Sequence, residues 1–126
     1  DMKLKSLTPI IWTKDIHATT TFYKNLGFRI NDENDDLVWT NMTNGDIEIN
    51  IANPEAAADF KKPQFTGTLY FNVENADEAW EELKHNKVVY EIETFDWGMR
   101  EFAIEDNNGY ILQFGEAIEF DYGDED

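Results

Sequence analysis

Cysteine is missing from this chain, which excludes thiol catalysis, thiolate metal centres and a disulfide framework. Histidine is nearly missing, with two copies in 126 residues. Basic residues are scarce as well: 10 Lys and Arg stand against 27 Asp and Glu, a formal net charge of −17. A surface this negative repels nucleic acid and anionic lipid, so we expect neither a nucleic acid nor a membrane as partner. The charge is also compatible with a role in solubility alone.

Long hydrophobic runs are lacking too, and none approaches the roughly 20 residues that a membrane-crossing helix needs. No basic-then-apolar leader opens the sequence, so we expect a cytoplasmic protein whose natural start is Met2. A chain of 126 residues fits one domain and buries enough surface to fold without disulfides or a structural metal.

What the sequence does contain is a pattern that occurs twice. Residues 5–13 predict a strand in which Pro9 indicates an edge position. Asp15 is placed as the N-cap of a helix that Gly27 ends in a left-handed conformation. Strand patterns follow at residues 28–30, 37–42 and 46–52, with the polar turn NDENDD after the first of them. The predicted order is therefore β-α-β-β-β.

The same order returns in the second half of the chain. A strand, a helix and three strands are predicted over residues 66–73, 76–86, 88–94, 100–105 and 110–116. Thr8 and Thr68 occupy equal places, as do the caps Asp15 and Asn75, and each pair is 60 residues apart. We therefore expect a single domain over 1–126, made of module one (about 5–52), a linker (about 53–64), module two (about 65–116) and an acidic tail (117–126).

Three stretches carry a family resemblance: TPIIWTKDI, FYKNLGF and WGMREFAIEDNNGYILQF. In this order and spacing they resemble the vicinal oxygen chelate superfamily, which contains glyoxalase I, ring-cleaving dioxygenases, fosfomycin-modifying enzymes and bleomycin resistance proteins. The resemblance implies an α+β fold of two tandem βαβββ modules, whose sheets form curled half-barrels around a cavity.

Strand parity predicts what lines that cavity, because successive side chains of a strand alternate between faces. The predicted core face comprises Ile47, Ile49, Ile51, Leu69, Phe71, Val73, Leu112 and Phe114, with Trp80 from the second helix. The predicted cavity face comprises Thr8, Ile10, Trp12, Glu48, Asn50, Thr68, Tyr70, Asn72, Ile111 and Gln113. A lining that mixes rings, amides, hydroxyls and one carboxylate suits an organic ligand with flat and polar parts.

The resemblance also implies where a metal would bind. Family enzymes hold a divalent ion with His or Gln on the first strand of each module and Glu on the last. Those four slots hold Thr8, Glu48, Thr68 and Gln113 here. A neutral hydroxyl is a poor ligand for such ions, and Glu48 is the one strong donor. We therefore expect vestigial slots and no cofactor, with His17 and His85 on helix surfaces and outside the site.

Without a metal, the chain looks most like the bleomycin resistance proteins, which are acidic dimers that sequester a cationic, aromatic-tailed antibiotic. The resemblance implies that Trp97 stacks on the flat part of the ligand; the alternative is a rim aromatic that caps the cavity or the dimer seam. The opposing family aromatic is not reproduced, and Trp39 is the candidate to replace it. Arg100 either contacts the ligand or forms an ion pair that positions its strand. Glu48 needs a partner, for which Arg100, a bound cation and water are the candidates.

Three functions stay open. The one we favour is a metal-free, homodimeric binding protein for a small organic ligand that is cationic or aromatic, with no catalytic residue. Its expected ligand-binding residues are Trp12, Trp39, Glu48, Asn50, Tyr70, Asn72, Trp97, Arg100 and Gln113. The alternatives are a glyoxalase- or dioxygenase-like enzyme with an altered metal site or none, and a scaffold or regulatory domain whose cavity is vestigial.

Overall fold

The chain forms two compact units, Asp1–Pro63 and Gln64–Asp126, called unit one and unit two. The computed structural model describes residues 3, 5–33, 38–54 and 60–119. Both units show the order β-α-β-β-β, so the predicted α+β fold of two tandem modules is confirmed. The elements of unit one are β1 (Ile10–Trp12), α1 (Ile16–Asn25), β2 (Arg29–Glu33), β3 (Trp39–Asn44) and β4 (Ile47–Ala52). The elements of unit two are β5 (Leu69–Asn72), α2 (Ala76–Leu83), β6 (Lys87–Thr94), β7 (Met99–Glu105) and β8 (Ile111–Ala117).

Each unit contains one open, four-stranded mixed sheet. The strand orders are β1-β4-β3-β2 in unit one and β5-β8-β7-β6 in unit two. In both sheets the first strand runs parallel to the last, and the other neighbours are antiparallel. Because the crossover helix follows the first strand, it packs on one face of its sheet and leaves the other face uncovered by that helix.

The predicted helix caps are confirmed. The Asp15 carboxylate accepts a hydrogen bond from the backbone N–H of Ala18 at 2.9 Å, and Asn75 Oδ1 accepts one from the N–H of Glu78 at 3.0 Å. Both caps satisfy N–H groups that have no partner within the helix. Helix α1 ends before Gly27, whose φ of 94° lies in the left-handed region that favours glycine.

Apolar side chains on the helix side of each sheet form its core. In unit one, Ile49 and Ile51 are buried as predicted. Ile47 shares their face of the strand but is 40% exposed, and so does not belong to the core, because it opens β4 beside the turn at the end of the sheet. In unit two, Leu112 and Phe114 are buried as predicted. The half-buried ring of Trp80 meets Phe102 edge-on, with 5.2 Å between the ring centroids.

Several element ends differ from the sequence prediction. The first strands of both units start later than predicted, because β1 begins at Ile10 where residue 5 was expected and β5 begins at Leu69 where residue 66 was expected. Strand β2 continues to Glu33 where a turn was expected, because a fully exposed edge strand tolerates polar side chains on both faces. Helix α2 ends at Leu83, short of the expected Asn86. There the Asn86 Nδ2 donates to the carbonyl of Leu83, which satisfies an acceptor at the helix end. The rest of the NDENDD turn and most of the acidic tail lie outside the described residues.

Neither described helix is long and apolar enough to cross a membrane.

Candidate functional site

Polar and aromatic side chains occupy the sheet faces opposite the helices. On β1, Ile10 and Trp12 are exposed while Ile11 between them is buried, as the strand parity predicted. On β5, Tyr70 and Asn72 are likewise exposed. We call these surfaces the unit-one face (Thr8, Ile10, Trp12, Asn41, Glu48 and Asn50) and the unit-two face (Thr68, Tyr70, Tyr90, Trp97, Glu101 and Gln113).

Glu48 is the centre of the unit-one face, and neutral groups satisfy it. Its Oε1 accepts a hydrogen bond from Thr8 Oγ1 at 3.0 Å, and its Oε2 accepts one from Asn41 Nδ2 at 3.1 Å. Asn41 Nδ2 also donates to Asn50 Oδ1 at 2.6 Å, and its Oδ1 accepts from Asn31 Nδ2 at 2.9 Å. A half-buried carboxylate thus has partners other than the Arg100, cation or water proposed for it from the sequence.

Glu101 is the centre of the unit-two face, and it is only 3% exposed. Its Oε1 accepts hydrogen bonds from Tyr70 Oη at 2.8 Å and from Trp97 Nε1 at 3.2 Å. Its Oε2 accepts hydrogen bonds from Tyr90 Oη and from Gln113 Nε2, the latter at 3.3 Å. Since a carboxylate offers about four acceptor positions, these four donors saturate it.

The hydrogen bonds decide the protonation states in this cluster. Burial alone would raise the pKa of Glu101, but donation by Tyr90, Tyr70, Trp97 and Gln113 outweighs it and lowers the pKa below the usual 4.5. Burial and donation to Glu101 raise the pKa of Tyr90 to about 12, against the opposing effect of the hydrogen bond from Gln113. The pKa of Tyr70 is raised by burial, by its hydrogen bond to Glu101 and by the nearby negative charge. At neutral pH the carboxylate is therefore ionised and both phenols remain donors.

A glycine allows Tyr70 to reach Glu101. The two residues lie on β5 and β7, with β8 between them. Gly115 of β8 pairs with Glu101 in the strand register, so the Tyr70 ring crosses directly over it. A Cβ added at Gly115 would lie 1.9 Å from Tyr70 Oη and 2.7 Å from its Cζ. Position 115 therefore needs glycine because the Tyr70 ring passes so close to the β8 backbone. The backbone conformation of Gly115 does not itself require glycine.

Trp97 presents its ring at the edge of the unit-two face. It precedes Gly98 in the turn between β6 and β7, and it is 65% exposed. Its ring stacks on Phe95 with 4.6 Å between centroids and 9° between planes, and Phe95 in turn meets Tyr90 edge-on at 5.7 Å. Trp97 is thereby fixed at two points, by Phe95 under one face of the ring and by Glu101 at the indole N–H.

The other two predicted tryptophans belong to unit one. Trp12 is exposed on β1 and meets Phe60 edge-on, with 6.2 Å between centroids. Trp39 is half-buried at the start of β3. Their roles in ligand contact stay predictions.

The side chains at the four predicted metal-ligand positions form hydrogen bonds with one another in two pairs. Thr8 donates to Glu48, and Thr68 donates to Gln113 Oε1. Within the described residues, no three His, Cys, Asp or Glu side chains converge as a metal would require. Two hydroxyls, one amide and one carboxylate do not fit a catalytic transition metal, which takes imidazole, thiolate and carboxylate ligands.

The two sheets differ in the register of their parallel strand pairs, β1 with β4 and β5 with β8. Residue Ile10 of β1 aligns with Asn50, whereas Tyr70 of β5 aligns with Gln113. Relative to the first strand of its unit, Gln113 therefore occupies the position that Asn50 occupies in unit one. The resemblance, by contrast, grouped Gln113 with Glu48 as predicted metal-ligand positions.

Arg100 lies on the helix side of β7 and binds Asp77 of α2. Its Nη2 donates to Asp77 Oδ1 at 2.8 Å and its Nε to Oδ2 at 3.0 Å, and this bidentate pair lowers the pKa of Asp77. Arg100 thus forms an ion pair with Asp77, and its Nη1 also donates to Thr94 Oγ1 at 3.0 Å. His17 and His85 are exposed.

Sequence reasoning missed the central role of Glu101, which it treated only as part of a sequence motif, and it missed Tyr90 and Asn41. One signal was available: Glu101 is the lone carboxylate between Arg100 and the apolar run FAI, on the strand face opposite Phe102. A charged side chain in an apolar strand needs partners on the same face. The identity of those partners depends on strand order, which parity does not give.

The chain is thus an α+β protein of two tandem βαβββ units, and each unit has a polar sheet face opposite its helix. The sequence matches the family model of the Glyoxalase/Bleomycin resistance protein/Dioxygenase superfamily over residues 4–114, and the chain belongs to that superfamily. No curated protein matches the sequence.

Solved structures show the same fold at low sequence identity. A bleomycin resistance determinant encoded on transposon Tn5 is 18% identical with a TM-score of 0.72, covering 90% of this chain and 98% of its own. Lactoylglutathione lyase from Agrobacterium tumefaciens is 16% identical with a TM-score of 0.67, covering 91% and 96%. A protein of unknown function from Agrobacterium tumefaciens str. C58 is 21% identical with a TM-score of 0.72, covering 94% and 98%.

Proposed function

We propose that this protein is a metal-free binding protein of the bleomycin-resistance type, which sequesters a flat, cationic organic ligand without making or breaking a bond. The observation that carries the proposal is the donor chemistry of the four metal slots. Thr8 donates to Glu48 and Thr68 donates to Gln113, so the slots hold one strong metal ligand among four side chains.

The chemistry of the two faces supports a ligand with a ring and a positive charge. Trp97 offers a fixed, exposed indole, and stacking on such a ring contributes about 0.5–1.5 kcal/mol beyond area burial. Glu48 and Glu101 are two carboxylates whose hydrogen-bond partners are all neutral. The net charge of −17 raises the local concentration of cations near such a site.

The proposed ligand contacts form one set in each unit, those up to Asn50 belonging to unit one and those from Tyr70 on belonging to unit two. They are Trp12, Trp39, Glu48, Asn50, Tyr70, Asn72, Trp97 and Gln113, with Arg100 acting through the strand that it positions. We further propose that the protein works in the cytoplasm as a homodimer, on the strength of its composition and of the family to which it belongs.

An enzyme with an altered metal site is the second candidate. One observation favours it: Glu48 keeps a carboxylate at a position where family enzymes bind their ion, and the superfamily includes glyoxalases and dioxygenases. Metal analysis of the purified protein separates the two functions. Stoichiometric zinc, nickel, manganese or iron that survives dialysis supports the enzyme and contradicts the binding protein.

Ligand titration tests the binding function directly. We expect bleomycin or a planar aminoacridine to raise the melting temperature, because a ligand at 100 times its Kd adds about 2.7 kcal/mol of apparent stability. Glu48→Gln should weaken that binding, since it removes a charge but keeps the shape. Asp46→Asn is the matched control, because it removes one exposed charge from the same unit. If no cationic aromatic compound shifts the melting temperature, the binding proposal is wrong.

A further inference from the structure

The Glu101 carboxylate cannot itself hold a ligand. It is 3% exposed, and each of its two oxygens already accepts two hydrogen bonds. A carboxylate has about four acceptor positions, so a metal ion or ammonium group would have to displace one of the existing donors. Any effect of this charge on a ligand must therefore pass through the groups that surround it.

Among the described residues of unit two, no cation pairs with this charge. All four donors, on Tyr70, Tyr90, Trp97 and Gln113, are neutral groups. In the part of the chain that the structure describes, the ion pairs of unit two join Lys84 to Glu81, Lys87 to Glu105 and Arg100 to Asp77. Arg100, the nearest cation in sequence, is thus turned to the helix side. A full negative charge is thus held within the unit-two face and shielded from water, where electrostatic effects are stronger than in bulk solvent.

Trp97 connects this charge to the surface. Its indole N–H donates to Glu101 Oε1, and donation to an ionised acceptor makes the aromatic ring richer in electrons. Phe95 covers one face of the ring, and 65% of the residue is exposed, so the opposite face is available to a ligand. Trp is the aromatic side chain that attracts cations most strongly, and the attraction grows with the negative charge on its face.

This arrangement distinguishes between kinds of cation. A hard metal ion needs oxygen ligands to replace its water, and the carboxylate oxygens at the N–H edge of the ring are saturated. A quaternary ammonium group is weakly hydrated and binds well to an aromatic face without oxygen ligands.

We propose that the exposed face of Trp97 is a subsite for a quaternary ammonium or similarly soft organic cation, and that the buried charge of Glu101 acts through the indole to set this selectivity. The inference rests on the proposed binding function and adds the chemical class of the ligand group and the positioning residue that selects it.

The test compares two probes of equal shape, (4-hydroxyphenyl)trimethylammonium and its neutral analogue 4-tert-butylphenol. We expect the wild-type protein to bind the cation at least about 10-fold more tightly, as measured by NMR titration or quenching of tryptophan fluorescence. Glu101→Gln keeps the side-chain shape and removes the charge, so it should reduce the preference to about 2-fold or less while the affinity for the neutral probe changes little.

Two further variants keep the test decisive. Glu82→Gln removes one exposed charge from α2 of the same unit and should leave the preference unchanged. Trp97→Phe keeps a ring at an exposed position but lacks the N–H, and it should also lose most of the preference. This variant settles the question if Glu101→Gln fails to show the wild-type circular dichroism spectrum.

The outcomes separate this inference from the proposed function. If the wild type binds both probes equally, or if Glu101→Gln or Trp97→Phe retains the 10-fold preference, the cation subsite is refuted and the binding function stands. If neither probe binds while bleomycin or an aminoacridine does, the subsite is again refuted. If none of these compounds binds, both proposals fail.

Discussion

Replacing Gly115 by alanine tests the geometry of the site most directly. The new Cβ would lie 1.9 Å from Tyr70 Oη, so the tyrosine must leave its hydrogen bond to Glu101. A hydrogen bond to a charged group contributes about 1.5–3 kcal/mol. Alanine is otherwise better than glycine inside a strand by about 0.5–1 kcal/mol. We therefore expect Gly115→Ala to lower the free energy of unfolding by about 1–2 kcal/mol.

The sign of this effect should reverse when Tyr70 is absent. In a Tyr70→Ala background the added Cβ of Gly115→Ala meets no phenol, and the gain in strand preference remains. We expect Gly115→Ala to be neutral or stabilising by about 0.5 kcal/mol there. The measurement is a double-mutant cycle by urea unfolding at pH 7, followed by circular dichroism, with a coupling energy of about 1–2.5 kcal/mol. Additive effects within about 0.5 kcal/mol would show that Tyr70 does not cross over Gly115.

Two smaller predictions follow. Since the pKa of folded Glu101 lies below 4.5, its charge stabilises the fold above that pH, and this contribution is lost as the pH falls through the lowered pKa. The difference in unfolding free energy between wild type and Glu101→Gln should therefore shrink from pH 7 to pH 3; a constant or growing difference would contradict the lowered pKa. Asn75→Ala should cost about 0.5–2 kcal/mol of stability in urea unfolding, and Asn75→Asp should restore it because the acceptor returns; equal stability of the two variants would exclude the cap.

Local signals in the sequence were enough to predict the type and the order of the helices and strands. The caps Asp15 and Asn75, the helix stop at Gly27 and the two-residue alternation of the strands act within a few residues of chain. The errors occurred where tertiary context outweighs local preference. Ile47 looks like a core residue by parity but lies at the open end of its strand, and the polar end of β2 remains in the sheet because both of its faces are exposed.

The candidate site was predicted only in part. Strand parity placed Tyr70 and Gln113 on the sheet face opposite the helix, where the structure has them, and the stretch WGMREF drew attention to Trp97. The sequence did not show that these three side chains meet at one carboxylate. Nor did it show that Arg100, a neighbour of that carboxylate in the chain, turns to the other side of the sheet and binds Asp77.

The amino-acid sequence by itself determined the order of the elements, the duplication, the excess of negative charge and the residue types at the four predicted metal-ligand positions. The charge is a property of composition, the elements follow from residues close together in the chain, and the duplication follows from comparing the two halves of the sequence. Tertiary structure alone decided that Tyr70 and Tyr90, 31 and 11 residues from Glu101 in sequence, donate to the same carboxylate. The physical reason is that hydrogen bonds across a sheet depend on strand order and register, which the packing of the whole unit fixes.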